Sequence, residues 1–561
     1  MTAPGPLEPS LREAAEAWLA ADPDPETRAE LRALLDRGDT ATLHERFDHP
    51  LTFGTAGLRG VVGAGPGAMN RLVVRRTAAG VAAWVREKGP GAPAAGIVVG
   101  RDARRGSEAF ARDTAEVAST AGVAVHVLSP PLPTPLTAFS VRHVGAAAGV
   151  VVTASHNPAA DNGYKVYDQD GAQVVPPADQ AIEAASAGLA VDPAPPAATP
   201  GAVRDLDVGA VVAAYEAALG DLVDPAWPRA LRVAYTPLHG VGGAVVPALL
   251  RRAGFEVVVV HEQAQPDPAF PTVPFPNPEE PGALDLVVAL AERERCDLVV
   301  ANDPDADRLR VAVPRGGAWR PLTGDELGAV LGEARLAATS GADRLAATTI
   351  VSSSMLRRIA DAHGVAFAET LTGFKWLARA GARAGRRLVF AYEEALGYAV
   401  SDAVADKDGI SAALLTCALA ARGLAERRTL LDELDALEAR HGVHRTRQLS
   451  FRREGMAGAA EIAATVEGLV AAPPTALGGT AVTAVDDLSL GIDGLPPTEG
   501  VRLRAGGAVR VVVRPSGTEP KLKAYVEVTD APRGTDGLAA SRGAADARLD
   551  AVAADVAARC A

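Results

Sequence analysis

Three times along the chain, short apolar runs rich in Val and Ile alternate with stretches of helical spacing, and this alternation constrains the fold more than any other feature. The first round reads "AGIVVG", "SEAFARDTAEVASTAG", "VAVHVLS", "PLTAFSVRHVG" and "GVVVTAS". Strands separated by helices of this length need crossover connections, so the spacing predicts α/β units with mostly parallel sheets. The second round runs from "LRVAYTPLHG" through "VGGAVVPALLRRAG", "FEVVVVHE" and a proline-rich loop to a helix over "ALDLVVALAERER" and then "CDLVVANDPDADR". A third begins near residue 325 and takes in "AATTIVSSS", "MLRRIADAHG", "VAFAETLTGFKW" and "RRLVFAYEEALGY". From about residue 446 the pattern changes: "AVRVVVRPSGTEPKLKAYVEVTD" offers two strand-like runs around a polar loop, followed by an Ala-rich helix. The Pro- and Ala-rich stretch "AVDPAPPAATPGAVRDLD" reads as an exposed connector.

Polar, chemically loaded sequence follows several of the apolar runs, and in open α/β sheets ligands bind outside the carboxyl ends of the strands. The expected architecture is therefore α/β, four domains around a central cleft: three similar mixed-sheet α/β domains and a smaller α+β C-terminal domain. The bounds are placed at residues 1–205, 206–324, 325–445 and 446–561.

Composition narrows the partners. The 561 residues are 48% hydrophobic and 22% charged, the balance of a globular chain, and the net charge of −13 argues against a broad nucleic-acid or acidic-membrane surface. A small anion held by a local basic cluster is compatible with that charge. Cys296, Cys417 and Cys560 are few, odd in number and far apart, which points to neither a disulfide framework nor a cysteine metal site. No run approaches the roughly 18 apolar residues of a membrane span, and the N-terminus lacks a basic start followed by an apolar stretch. The expectation is a cytoplasmic monomer or small homo-oligomer with no nucleic-acid or membrane partner.

The chemistry sits in the loops. In "NDPDADR", Asp303, Asp305 and Asp307 alternate, and in an extended segment residues two apart project to one side. Three close carboxylates repel unless a hard cation with oxygen ligands joins them, and Mg²⁺ is the natural candidate. A solvated acidic turn is the plainer reading. An EF-hand is excluded by the missing Gly and closing Glu. In "TASHNP", Ser155 and His156 are adjacent, and neighbours in an extended chain point to opposite sides, so His156 is a weak candidate for the base of Ser155. Without a G-x-S-x-G elbow, Ser155 is either a capping serine at a strand-to-helix turn or a phosphoryl carrier beside a metal.

Other loops add cations and acceptors. "RPSGTEPKLK" supplies Arg514, Ser516, Gly517 and Thr518, the makings of a phosphate cradle or of an ordinary hairpin turn. "FGTAGLRG" fixes Arg59, while "TGFKW" and "DKDG" supply Lys375 and Lys407. "YEEALGY" offers Glu393 and Glu394, either as acceptors for sugar hydroxyls or as the acidic start of a helix. No G-x-x-x-x-G-K-[ST] loop is present, and "GAGPG" does not match a dinucleotide fingerprint. A metal, a serine, several cations and a hydroxyl-binding carboxylate together equip a site to move a phosphoryl group on a sugar.

The motifs "TASHNP", "DPDADR", "EEALGY" and "RPSGTEPKLK" make the chain resemble the α-D-phosphohexomutase superfamily over nearly its whole length and in that family's order of loops. "FGTAGLRG", "TASHNPAADNGYKVY", "TGFKW" and "DKDG" are most similar to the branch containing phosphoglucomutase-2, phosphopentomutases and bacterial phosphosugar mutases. The resemblance implies an isomerase in which Ser155 is phosphorylated and Mg²⁺ is held by Asp303, Asp305, Asp307 and that serine. It implies that the phosphoryl group passes to a sugar phosphate through a sugar 1,6-bisphosphate, glucose 1,6-bisphosphate, which serves as intermediate and activator. Arg59 and Lys165 are placed near the phosphoserine, with His156 as a supporting contact. Arg308, Thr372, Gly373, Lys375, Glu393 and Lys407 are placed against substrate, and Arg514, Ser516, Gly517 and Thr518 on the non-reacting phosphate. The implied reaction interconverts hexose 1- and 6-phosphates, glucose preferred and mannose accepted.

One position departs from the pattern. Several members carry a serine two residues after the sugar-loop glutamate, and here that residue is Ala395. The loss leaves room for a phosphopentomutase acting on ribose or deoxyribose phosphates. A serine phosphomonoesterase, with water as acceptor, and a silent phosphosugar-binding protein are the remoter readings.

Overall fold

The computed structural model describes residues 7–53, 57–187, 199–453, 455–516 and 521–561. Two compact units emerge: Met1–Val311 with Ala403–Cys417, and Ala312–Asp402 with Ala418–Ala561.

The first unit opens with helices Pro9–Ala21, Pro25–Arg37 and Thr40–Asp48, followed by a six-stranded sheet. Its strands are β1 (Leu58–Val61), β2 (Ile97–Arg101), β3 (Val125–Val127), β4 (Ala148–Val152), β5 (Asp161–Asp168) and β6 (Val203–Asp205), in the order β1-β5-β4-β2-β3-β6. β4, β2, β3 and β6 run parallel, as the crossover spacing requires, whereas β5 returns antiparallel beside β4 and β1 pairs antiparallel with β5. Every residue of β4 is buried, which explains its unbroken "AGVVV" run: a central strand covered on both faces has no solvent side to mark. β6 corrects the connector reading, because the end of that Pro/Ala stretch is an exposed edge strand, while residues 188–198 lie outside the described residues.

Between β1 and β2, helix Arg71–Glu87 is fixed at its start by Asn70. Its Oδ1 accepts from Val73 N–H at 2.9 Å, and its Nδ2 donates to the carbonyls of Gly63, Gly65 and Ala68. A second sheet places β7 (Arg232–Thr236) between β8 (Glu256–Val259) and β9 (Leu298–Asn302), all parallel, with β10 (Leu309–Arg315) next in order after β9. The chain leaves the first unit within β10, after Val311.

In the second unit β11 (Ala318–Pro321) pairs antiparallel with the far half of β10. Helix Gly324–Ala338 follows, its start closed by a capping box between Thr323 and Glu326. A four-stranded sheet has the order β13-β12-β14-β15, from β12 (Arg344–Thr349), β13 (Ala366–Thr370), β14 (Arg387–Glu393) and β15 (Gly397–Ala399). The first three are parallel and β15 is antiparallel.

The last sheet is antiparallel, in the order β16-β21-β20-β19-β18-β17. Its strands are β16 (Val443–Arg452), β17 (Ala476–Leu477), β18 (Thr480–Asp487), β19 (Val501–Ala505), β20 (Val509–Pro515) and β21 (Lys521–Asp530). Helices Gly455–Ala471 and Gly534–Cys560 pack on it around a core that includes Leu503, Val511, Val526 and Val552. Among the described residues no single helix is long and apolar enough to cross a membrane; only Gly409–Ala425 and Leu430–His441, bent by 89°, pass together.

Candidate active site

Ser155 and the three aspartates meet in the first unit. After β4 the chain turns sharply, and Ser155 takes φ 53°, the left-handed region, with its N–H donating to Thr153 Oγ1 at 2.8 Å. The Ser155 hydroxyl donates to Asp303 Oδ2 at 2.7 Å and lies 3.2 Å from His156 Nδ1. The expectation that these neighbours point apart is therefore corrected: it assumed an extended backbone, and the left-handed turn brings the two side chains together. No helix starts here, so Ser155 is not a capping serine.

The aspartates converge through a turn as well. Ala306 N–H donates to the Asp303 carbonyl at 2.9 Å with Ala306 at φ 54°, so the loop after β9 curls instead of extending. All three carboxylates are fully buried, and one oxygen from each lies within 4.8 Å of the others. Two neighbouring loops press on this turn. Val241 N–H donates to the Pro304 carbonyl at 2.8 Å, and a Cβ on Gly409 would meet Arg308 O at 2.4 Å and Ala306 O at 2.8 Å.

Cations answer the charge. Lys165 alternates inward on β5, opposite Val151, and donates to Asp305 Oδ2 and Asp307 Oδ2, both at 2.8 Å. Lys407 Nζ lies 3.3 Å from Asp307. Arg308 N–H donates to Asp303 Oδ1 at 3.0 Å, and its guanidinium lies 4.0 Å from Asp307. Arg59, set beside Gly163 by the β1–β5 pairing, donates to Asn157 Oδ1 at 3.2 Å.

These surroundings separate the protonation states. Burial raises Asp303 well above the carboxylate range, and the charges of Asp305 and Asp307 add to it. Burial also opposes the charge on Asp307, but Lys165, Lys407 and Arg308 outweigh it and hold its carboxyl far down. Asp305 is likewise lowered, because Lys165 and the Thr134 hydroxyl outweigh burial and Asp307. Lys165 is raised: burial disfavours its charge, but Asp305 and Asp307 favour it more. Burial first, then Arg308 and Arg59, hold His156 well below the usual imidazole value, so it is neutral at pH 7.

A hard divalent cation fits this donor set. Asp305 Oδ1 and Asp307 Oδ1 are buried and accept no hydrogen bond among the described residues, and an unsatisfied buried anionic oxygen is costly without a cation. With Asp303 Oδ2 and Ser155 Oγ beside them, the available ligands are all hard oxygens, the kind Mg²⁺ prefers.

The remaining expected residues lie in the second unit. Thr372 and Gly373 follow β13, Gly373 at φ 109° leading into the one-turn helix Phe374–Leu377, whose Lys375 is buried. Glu393 ends β14, buried, and pairs with Gly397 across a turn into β15, so these glutamates start no helix. Glu394 accepts from Ser352 Oγ at 2.9 Å and Thr349 Oγ1 at 3.2 Å. Arg514 sits near the end of β20, and Ser516 N–H donates to Lys521 O at 2.8 Å. Gly517 and Thr518 lie outside the described residues.

Three supporting residues escaped the sequence reading. Arg104, almost wholly buried, donates to the carbonyls of Ser155, Asn157, Pro158 and Asp161 at 2.6 to 3.1 Å, pinning the whole serine loop. Thr134 donates to Asp305 Oδ2 at 2.6 Å, and its N–H to the Asp305 carbonyl at 2.9 Å. Asp406, accepting from Tyr167 and Gln173, anchors the loop that carries Lys407. A buried arginine within "GRDARRGS" was the one available signal: glycine, acid and two arginines directly after an apolar strand.

Comparison with known proteins places the chain in a family. Residues 50–190, 213–317 and 323–439 match the phosphoglucomutase/phosphomannomutase alpha/beta/alpha domains I, II and III, and residues 459–542 match the C-terminal domain of the same family. A Schizosaccharomyces pombe protein named "Probable phosphoribomutase" is 36% identical, covering 93% of this chain and 94% of its own length. A Haemophilus influenzae protein named "Probable phosphomannomutase" is 39% identical over 84% of this chain and 95% of its own. The solved structure of a phosphoglucomutase/phosphomannomutase family protein from Burkholderia thailandensis superposes with a TM-score of 0.65 at 21% identity, over 89% of this chain and 97% of that one, which shows the shared fold. The chain belongs to the phosphoglucomutase/phosphomannomutase family of the α-D-phosphohexomutase superfamily, with its four-domain α/β fold, and is an isomerase of the phosphotransferase-mutase type.

Proposed function

We propose that the protein interconverts hexose 1-phosphate and hexose 6-phosphate, with glucose preferred and mannose accepted, by relaying phosphoryl groups through Ser155. The observation that carries this reading is the Ser155 hydroxyl held 2.7 Å from Asp303 inside a fully buried three-aspartate cluster, flanked by Lys165. A serine so placed is a nucleophile whose product, a phosphoserine, stays within reach of the same cations. Asp303, Asp305, Asp307 and the serine oxygen would hold Mg²⁺, which would supply Lewis-acid neutralisation of the phosphoryl charge.

The chain's own residues do the rest. Lys165, which donates to Asp305 and Asp307 at 2.8 Å, is a charge stabiliser beside the serine loop. Arg59 adds a fixed cation beside the serine loop. Neutral His156, 3.2 Å from Ser155 Oγ, orients that oxygen. Arg308 and Lys407 complete the positive rim around Asp307. Thr372, Gly373, Lys375 and Glu393 take the sugar, while Arg514, Ser516, Gly517 and Thr518 grip the phosphate that is not reacting, so that remote binding energy positions the reacting end. Glucose 1,6-bisphosphate then serves as intermediate and activator.

A second reading, phosphopentomutase on ribose or deoxyribose phosphates, is favoured by Ala395, which removes a hydroxyl from the sugar loop, and by the name of the S. pombe relative. A panel of glucose, mannose, glucosamine and ribose 1-phosphates, with Mg²⁺ and a trace of the matching bisphosphate, compares kcat/KM directly. Glucose is expected to lead; ribose in front transfers the assignment to the second reading, and no isomerisation of any sugar ends both. Ser155→Ala is expected to abolish phosphoenzyme and nearly all turnover, and retained activity removes Ser155 from the relay.

A further inference from the structure

The second unit contains a cavity of about 760 Å³ that none of the candidate site residues lines. It lies at the β19–β20 turn, where Gly506 and Gly507 sit at φ 55° and 71°, together with the far ends of β21 and the start of β16. Arg514 and Ser516 belong to the opposite end of the same sheet: from Arg510, on the cavity wall, to Arg514 is four residues of strand, roughly 13 Å.

Five separate elements bring an arginine to the wall of this cavity, Arg510 of β20 among them. Arg358 comes from helix Met355–Ala362, Arg440 from helix Leu430–His441, Arg504 from β19 and Arg548 from helix Gly534–Cys560. Arg440 is paired with Glu333 and Arg504 with Asp486, each at 3.2 Å. Arg358 makes no hydrogen bond or ion pair among the described residues, and Arg548 donates only to the Thr529 carbonyl, at 3.1 Å. His441 also lines the wall, its Nε2 buried and without a hydrogen-bond partner among the described residues.

The carboxylates present do not neutralise this. Glu527 is engaged by Arg510 at 2.7 Å and by His444 at 3.3 Å; Asp530 lies 3.3 Å from Arg533, its buried Oδ2 without a hydrogen-bond partner among the described residues, and Asp361 is the other acid on the wall, against five arginines. A guanidinium has five N–H donors in a fork that suits phosphate, so even the paired arginines keep donors to spare. Arg358, Arg440 and Arg504 are exposed and Arg548 half-buried, so in a chain of net charge −13 arginines from five elements gather on one water-accessible concavity. One phosphate is too small to span guanidinium groups set around such a volume, whereas a ligand with several phosphates spans them and fills it.

We propose that this cavity is a second anion site, separate from the phosphate loop at Arg514, that takes a polyphosphorylated small molecule, either a nucleoside triphosphate or a sugar bisphosphate. The test is isothermal titration of the full chain with ATP and with glucose 1,6-bisphosphate, on wild type and on the Arg358→Glu/Arg548→Glu variant. At least one probe is expected to show a binding component that persists with saturating glucose 1-phosphate and weakens by about a hundredfold in the double variant, with turnover held within about twofold. The probe that behaves so identifies the source of the phosphates. Should the double variant melt early, Arg358→Gln alone, at an exposed side chain, is expected to weaken the same component by about tenfold. The proposal is overturned if neither probe shows a component that depends on these arginines, or if glucose 1-phosphate displaces it.

Discussion

Arg104→Met offers the sharpest test of how the serine loop is held. The guanidinium donates to four backbone carbonyls between Ser155 and Asp161 and lies 3.4 Å from the buried Asp102 carboxylate. Methionine keeps the stem and removes every one of those donors. Breaking a buried charge pair costs about 3 to 5 kcal/mol, and the lost carbonyl bonds are part of that figure and not additional to it. Because all four carbonyl partners lie between Ser155 and Asp161, with only Asp102 outside that loop, the cost falls first on local opening of the loop. A change of about 3 kcal/mol corresponds to somewhat more than a hundredfold in the opening equilibrium, so amide exchange over residues 154–163, followed by mass spectrometry, should accelerate by about that factor. Phosphoenzyme formation should fall with it, while KM for the sugar phosphate moves little, since Arg104 reaches the loop's backbone and not its hydroxyl. Arg104→Lys, which retains a charge but only three donors, should fall between the two. Exchange within about threefold of wild type in Arg104→Met refutes the reasoning, since it means the loop is held by its own turn geometry and not by the arginine.

Gly409→Ala pushes a methyl group against Arg308 O, Asn302 Nδ2 and Ala306 O, all within 2.8 Å, and overpacking of this kind costs about 1 to 3 kcal/mol. Its signature should be a raised Mg²⁺ requirement, read from activity against metal concentration, since the atoms it displaces belong to the aspartate loop. Asp325 is buried where it accepts from Ser353 N–H, Tyr392 OH and Thr446 Oγ1, and burial, with the charges of Glu394 and Glu527, raises its pKa from 3.8 to about 6. A raised carboxyl favours folding below its unfolded pKa and loses that advantage as pH climbs to its folded value. Stability of wild type relative to Asp325→Asn should therefore drop by about 2.4 kcal/mol between pH 4 and pH 7, measured by urea unfolding, and a flat difference contradicts the assignment. Burial raises the thiols of Cys296 and Cys560 to about 11 and that of Cys417 further still, so none should react with a thiol reagent at pH 8 until denaturant is added.

What the sequence made legible followed from periodicity and from local chemistry. Unbroken apolar runs marked β4 and β9 because a strand buried on both faces shows nothing else. β16 and β18 carried no such mark: "VHRTRQLSFR" and "TAVTAVDD" have faces open to solvent, and mixed polar and apolar residues there do not separate from loop. Their place in the sheet comes from pairing with distant partners, β21 and β19, and that information is not local. The three aspartates were found for a partly mistaken reason. Alternation predicted convergence through an extended strand, whereas a turn closed by Ala306 N–H and by the left-handed Ala306 brings them together. The same assumption separated Ser155 from His156, and the left-handed serine reversed it.

Lys407 shows most plainly where sequence order stops informing. It lies more than two hundred residues beyond Lys165, within the stretch assigned to the third domain, yet Ala403–Cys417 is part of the first unit, and the two lysines share one carboxylate oxygen of Asp307. Holding two ammonium groups on one buried oxygen is costly unless both are positioned by something else. Lys165 is fixed by the β4–β5 pairing, and Lys407 by Asp406, which takes hydrogen bonds from Tyr167 and Gln173 just beyond Lys165 in sequence. β5 and the segment after it thus supply one lysine directly and anchor the loop of the other. Residues 161–173 are as much a part of the charge balance at Asp307 as the aspartate loop itself. A change at Tyr167 or Gln173 should therefore act on the site through the position of Lys407, and its effect should be lost in a Lys407→Met background, where the lysine it positions is gone.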